Sequence, residues 1–230
     1  MKRLLILISF TFLIQGVKSQ VAPNKGVDSL YREDQFYIGV TYNLLGNKPE
    51  KFSQTGFSSG LHLGFIRDMP INKNRNMAIG LGLGYSTNSF NQNLLISEDE
   101  SGAIIYSILT DNSTYTKNKF SNHLIELPLE FRWRTSTPED YNFWRIYTGL
   151  KFSYMFAGTT KYKGDLGNIK QTNIDDFNKL QYGLTFSAGY NTWNVYLYYP
   201  LSTIFSNGAK LNGNNLDINV LKVGLIFYIL

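Results

Sequence analysis

Cysteine is absent from the 230 residues, and histidine occurs only twice, at His62 and His123. Without cysteine there is no disulfide framework, no thiolate zinc or iron–sulfur centre, no thiol nucleophile and no lipidated-cysteine anchor. Two histidines also leave little for a multi-histidine metal site. Long hydrophobic runs are missing as well. Beyond residue 14 no apolar stretch approaches the ~18 residues that a membrane helix requires. Charged residues are sparse, at 17% of the chain. What is plentiful is Tyr (16), Phe (16) and Gly (20), a mixture that suits β-structure better than helix.

The first segment reads as an export signal. Lys2 and Arg3 precede an apolar core from Leu4 to Ile14, and Val17-Lys18-Ser19 ends on a small residue. That core is short for a spanning helix and typical of a cleaved signal peptide. Residues 1–19 are therefore expected to be removed, with 20–35 as a periplasmic lead-in. Removing the signal takes away Lys2, Arg3 and Lys18 and no acid, so the formal net charge falls from +5 to +2. The basic character belongs largely to the signal, and nucleic acid is not expected as a partner.

From residue 36 onward, alternation with period two dominates. Eight such runs are legible, beginning near Phe36, Phe57, Met77, Ile125, Trp144, Leu180, Val195 and Leu221. In the first, Phe36, Ile38, Val40, Tyr42 and Leu44 share one face, against Tyr37, Gly39, Thr41 and Asn43. In the fourth, Ile125, Leu127, Leu129, Phe131 and Trp133 oppose Glu126, Pro128, Glu130, Arg132 and Arg134. Each run suits the roughly 9–11 residues of a tilted membrane strand. Short links near 68–76, 135–141 and 191–193 alternate with longer ones near 46–55, 88–121, 157–179 and 202–215. Short turns on one side and long loops on the other mark a transmembrane barrel rather than a soluble one. The fold expected is one domain over 36–230, an all-β, eight-stranded antiparallel transmembrane β-barrel in the outer membrane of a Gram-negative bacterium, with both termini periplasmic.

A barrel in lipid turns its apolar face outward, so the polar face lines the lumen. That places Glu126, Glu130, Arg132, Arg134, Arg145, Lys151 and Lys222 inside, opposite the small residues Gly39, Gly60, Gly64, Gly80, Gly82 and Gly84. Eight strands enclose a space just wide enough for side chains to fill. Buried charges there must pair, because unpaired burial costs several kcal/mol. Glu126 and Glu130 are expected to pair with Arg145, Lys151 or Arg132, forming a salt-bridged plug. The cationic excess keeps a narrow anion-preferring pore in view. Aromatic girdles are expected at both interfaces. Phe65, Trp133, Trp144, Tyr190 and Trp193 lie near the short turns, and Tyr42, Phe57, Tyr85, Phe90, Tyr154, Phe156 and Tyr182 near the long loops. Pro128 and Pro200 each predict a bulge or a broken pair.

Leu124-Ile125-Glu126-Leu127-Pro128-Leu129-Glu130 resembles a Leu-Glu-Ile-Pro-Leu type motif. Leu180-Gln181-Tyr182-Gly183-Leu184 and the ending Gly224-Leu225-Ile226-Phe227-Tyr228 fit the same pattern. On these residues the chain, over roughly 36–230, resembles the PorT-like outer-membrane β-barrel family of the Bacteroidota. The same ending, with Leu225, Phe227 and Ile229 alternating before Leu230, resembles the signal read by the barrel-insertion machinery. The resemblance implies a small barrel, and for the family's founding member a tie to type IX secretion and gliding.

Other motifs carry less. Gly56-Phe57-Ser58-Ser59-Gly60 matches a nucleophile-elbow spacing and His62 follows, but an elbow needs a strand-to-helix turn. Glu98-Asp99-Glu100 and Asp175-Asp176 fall in long loops, where they could bridge divalent cations to lipopolysaccharide phosphates or simply be solvated. Apolar residues 103–109, inside the longest loop, suggest either a self-paired hairpin or an edge for a partner strand. No catalytic residues, metal or cofactor are expected. The expected role is non-enzymatic, with outer loops serving envelope integrity or interaction and with outer-membrane lipid, lipopolysaccharide and possible envelope or secretion proteins as partners. An accessory part in type IX secretion is the alternative.

Overall fold

In a computed structural model, residues 32–110, 112–136, 143–172 and 174–229 are described. The export-signal segment and the first part of the lead-in fall outside them. Thirteen strands appear: β1 Gln35–Gly46, β2 Ser59–Pro70, β3 Met77–Asn91, β4 Leu94–Glu98, β5 Ile104–Ile108, β6 Tyr115–Arg134, β7 Trp144–Gly164, β8 Gly167–Thr172, β9 Leu180–Tyr190, β10 Trp193–Pro200, β11 Lys210–Leu211, β12 Asn214–Asn215 and β13 Asn219–Ile229. Eight of them (β1, β2, β3, β6, β7, β9, β10 and β13) pair antiparallel in a closed circuit, with β6 on β7 and β1 on β13 completing it. The fold is the eight-stranded antiparallel barrel that the alternation implies.

Burial follows the alternation inside out. Along β1 the apolar Phe36, Ile38, Val40 and Leu44 are exposed, while Tyr37, Thr41 and Asn43 are buried. Along β6, Ile125, Leu127, Leu129, Phe131 and Trp133 are exposed, while Glu126, Arg132 and Arg134 are fully enclosed. A protein that shows its aliphatic face outward and hides its arginines is built for an apolar surround. The outward residues Trp144 and Tyr154 stand about ten positions apart on β7. At a rise of ~3.3 Å and a tilt of ~40°, they mark a band roughly 25 Å tall.

Connections segregate as expected. The turns after β2 and β9 are short; the tighter joins β9 to β10 through Asn191 at φ 55° and Thr192, a left-handed position that asparagine tolerates. At the opposite end β3, β6 and β7 run on well beyond the band, and β8 pairs with the extension of β7. β4 and β5 pair with each other from Leu94↔Ile108 to Glu98↔Ile104, the self-paired hairpin.

Asp68 and Pro200 depart from expectation, and Pro128 gives one of its two expected outcomes. β2 continues to Pro70, so Asp68 belongs to a strand and not to the turn. Pro128 keeps its register with Lys151 of β7, but pairing with β3 lapses between Leu81↔Leu129 and Gly84↔Glu126, a broken pair rather than a bulge. The recorded register shifts on β6 lie elsewhere, at Tyr115/Lys117 and His123/Leu124. Pro200 does no damage, because it ends β10 opposite Gly183.

Candidate functional site

The lumen is the candidate site, and it is filled in three storeys. The lowest, beside the short turns, is ionic. Arg134 meets Asp68 through two hydrogen bonds, Nη1 to Oδ1 and Nη2 to Oδ2, both 2.8 Å. Arg132 donates to the same Asp68 Oδ1 at 3.0 Å, to Glu130 Oε2 at 3.2 Å and to Gln35 Oε1 at 2.7 Å. Its guanidinium lies 4.4 Å from the Tyr147 ring centroid. Arg145, which pairs across the sheet with Arg134, stacks on Phe143 at 4.4 Å. Strand order explains the convergence. β2, β3 and β6 are neighbours, and the even-numbered positions Asp68, Glu130, Arg132 and Arg134 all point inward at the same end.

The middle storey is a mixed polar ring. Glu126 takes Lys151 Nζ on Oε2 at 2.9 Å and His62 Nδ1 on Oε1 at 3.2 Å. The other nitrogen of His62 faces Thr41 Oγ1 at 3.1 Å. From Thr41 an amide chain climbs through Asn43, Asn88 and Asn122, with Nδ2–Oδ1 steps of 3.2 and 3.0 Å. Tyr196 lies under Lys151 and Tyr198 under Lys222, with ring centroids at 5.0 and 5.2 Å. Tyr37 fills the space left by Gly64 and Gly84, where a Cβ on either glycine would collide with its ring or hydroxyl. The ring therefore sets large side chains against small ones.

The top storey is apolar. Phe90, Phe120 and Leu124 from the strand extensions meet Ile174, Phe177, Ile204, Phe205, Leu216 and Ile218 from the loops in one buried cluster. Phe90 stacks on Phe120 at 4.6 Å and Phe177 on Phe205 at 5.0 Å. Phe90 was expected in the outer girdle; at 1% exposure it belongs to this cap instead. It sits at an even position of β3, where alternation turns it inward.

The residues singled out from the sequence fall as follows. Glu126, Glu130, Arg132, Arg134, Arg145, Lys151 and Lys222 all point into the barrel and are buried. Glu130 pairs with Arg132 and Glu126 with Lys151. Arg145 and Lys222 have no carboxylate within 4.0 Å among the described residues and rest on aromatic faces. On the outer face, Trp144 contacts Tyr190 at 5.4 Å and Trp193 contacts Phe227 at 4.8 Å, with Trp133 on the same level. Tyr85, Tyr154 and Tyr182 form the outer level, where the Tyr85 hydroxyl meets His123 Nδ1 at 2.6 Å. The Ser58–His62 dyad does not form. Ser58 Oγ accepts the Asn91 amide at 3.0 Å, and both nitrogens of His62 are engaged by Thr41 and Glu126.

The loop acids have local tasks. Asp99 accepts from Ser101 and Ala103, which close the β4–β5 turn and hold its carboxyl below the usual range. Asp176 accepts the Tyr106 hydroxyl at 2.8 Å; burial and that carboxylate push the phenol up. Among the described residues no three His, Asp or Glu gather as a metal site.

Asp68, Gln35 and the cap are what sequence reasoning missed; Gln35 fell in the expected lead-in but begins β1 and accepts from Arg132. Asp68 left a detectable trace: five lumen cations stood against only two acids, a deficit that called for a third carboxylate.

An outward apolar band, an enclosed polar interior and segregated loops define a bacterial outer-membrane β-barrel protein. The family profile described as outer membrane protein beta-barrel domain matches residues 18–206, and the chain belongs to that family. Its place is the outer membrane, where its surround is lipid and lipopolysaccharide. No curated protein matches it. Among solved structures it is similar to Ail, the attachment invasion locus protein of Yersinia pestis, at 12% identity and TM-score 0.35, covering 86% of this chain and 99% of that one.

Proposed function

We propose that this protein is a sealed, non-enzymatic outer-membrane scaffold that serves envelope integrity and holds a rigid, loop-built head above the outer leaflet. The observation that carries this reading is the layering of buried side chains across the lumen: an ionic cluster at one end, a polar ring around the Glu126–Lys151 pair in the middle and an apolar cap over the mouth. A conduit of eight strands has little space to spare, and here large buried side chains, most of the charged ones in ion pairs, reach into that space. A pore is the weaker reading. An enzyme is weaker still, because Thr41, His62 and Glu126, although aligned by hydrogen bonds, are at most 2% exposed. Residues 1–19 serve as the export signal in this reading, and the outward Trp133, Trp144, Tyr190, Trp193, Tyr85, Tyr154 and Tyr182 as interfacial anchors.

A second reading, an accessory part in PorT-like type IX secretion, is favoured by the motif 124–130. That motif supplies the lumen carboxylates Glu126 and Glu130 and the wall-breaking Pro128. Deleting the gene separates the two. The scaffold reading expects a strain sensitised to detergent and bile salts with normal secreted cargo. Cargo trapped inside the mutant would replace it with the secretion reading, and an unaltered envelope would remove it.

A further inference from the structure

Above the outer aromatic level, the outer face of the extended sheet is lined with lysines. Strand register places Lys119 of β6 opposite Lys161 of β7, and Lys161 opposite Lys170 of β8. One row higher, Lys117 faces Lys163. All five lie on the face opposite Phe120 and Tyr162, which are buried in the head. Among the described residues, no carboxylate comes within 4.0 Å of any of them; Lys119 Nζ donates only to Ser89 Oγ, at 3.3 Å. Partial burial and the neighbouring Lys117 and Lys161 pull the Lys119 ammonium down.

Like charges directly across a sheet are destabilising. Three strands that converge on such an arrangement point to a counter-charge supplied from outside. The surroundings specify its kind. The row just below the lysines is Ser89, Ser121, Thr159 and Thr172, which offers hydroxyls. Below that come Tyr85, Tyr154 and Phe156 at the edge of the apolar band. From Ile125 to Lys119 the strand climbs six positions, roughly 15 Å along the membrane normal. Going outward, the surface therefore presents an aromatic level, a hydroxyl level and a cationic level, the order in which an amphiphile would present acyl chain, sugar and phosphate.

We propose that this face is a binding site for the phosphate-bearing sugar headgroup of an outer-leaflet glycolipid, with Lys117, Lys119, Lys161, Lys163 and Lys170 as the phosphate ligands. The site deepens the scaffold reading and rests only on its orientation, with the long loops outward. A leaking lumen would leave the site untouched, so the two fail separately.

The test uses the full folded chain in detergent and native mass spectrometry with phosphorylated lipid A and its dephosphorylated form. The wild type is expected to retain the phosphorylated form about tenfold or more over the other, and less so as salt rises. The variant K117Q/K119Q/K161Q/K163Q/K170Q is expected to lose the preference, and the matching all-arginine variant to keep it. Should the fivefold variant lose its heat-modifiable fold, Lys161→Gln alone is expected to lower retention about fivefold. Equal retention of the two lipids by the wild type, or an undiminished preference in the glutamine variants, would overturn the proposal. Capture by a soluble heparin fragment without lipid A preference would overturn the lipid as occupant.

Discussion

Asp68 and Arg134 hold each other through two parallel hydrogen bonds of 2.8 Å, with neither side chain exposed to solvent. The same carboxylate serves Arg132, so a single acid on β2 neutralises two arginines that β6 presents at alternate positions. Asp68→Ala leaves both guanidiniums enclosed without it, a loss expected to cost about 3–5 kcal/mol. Urea unfolding in detergent micelles, followed by the heat-modifiable band, measures this. Asp68→Asn is expected to fall between the two, since the amide oxygen still accepts one bond. A variant as stable as the wild type would show that the cluster does not hold the lower lumen together.

Lys151 and Glu126 supply a second test. Lys151→Met strips the 2.9 Å partner from a fully buried carboxylate that otherwise has only His62. It is expected to destabilise by several kcal/mol, because removing one member of a buried pair costs more than the pair contributes. Glu126→Gln in the same background is expected to recover part of that loss. A double-mutant cycle over the four unfolding free energies checks the sign; simple additivity would mean that the two residues act independently.

The cap can be probed apart from the barrel. Phe120 contacts Phe90, Phe177 and Phe205, with centroids 4.6 to 5.8 Å away. Phe120→Ala removes the ring on which two loops rest, worth about 3–5 kcal/mol locally. The expected outcome is faster proteolysis within the loop residues 174–179 and 201–218 while the barrel keeps its heat-modifiable band. Loss of both together would mean that cap and wall form one cooperative unit.

Much of this architecture is legible in the sequence because a membrane barrel writes its pattern twice, apolar outward and polar inward, with period two. Phe36 to Leu44 and Ile125 to Trp133 carry that pattern almost unbroken, and so all eight strands and the seven inward charges can be read from it. Asp68 escaped because Arg67-Asp68-Met69-Pro70 looks like the start of a turn. In fact Arg67 stays outside, 3.5 Å from Asp34, and Asp68 continues the inward register of His62 and Ile66. The cap escaped for a different reason. Ile174, Phe177, Ile204, Phe205, Leu216 and Ile218 come from two loops without periodicity, and only tertiary folding brings them over the lumen. The ladder of lysines lay in plain view as residue types. Register across β6, β7 and β8 was needed to make it a single surface.

The central claim is that the lumen is closed, and single-channel recording in a planar bilayer addresses it most directly. Purified, folded protein in 1 M KCl is expected to produce no conductance steps above the bare membrane, and Arg145→Gln is expected to change nothing. Stable ohmic steps that prefer chloride, and that shrink when Arg145 or Lys151 is neutralised, would contradict the sealed scaffold and establish a pore.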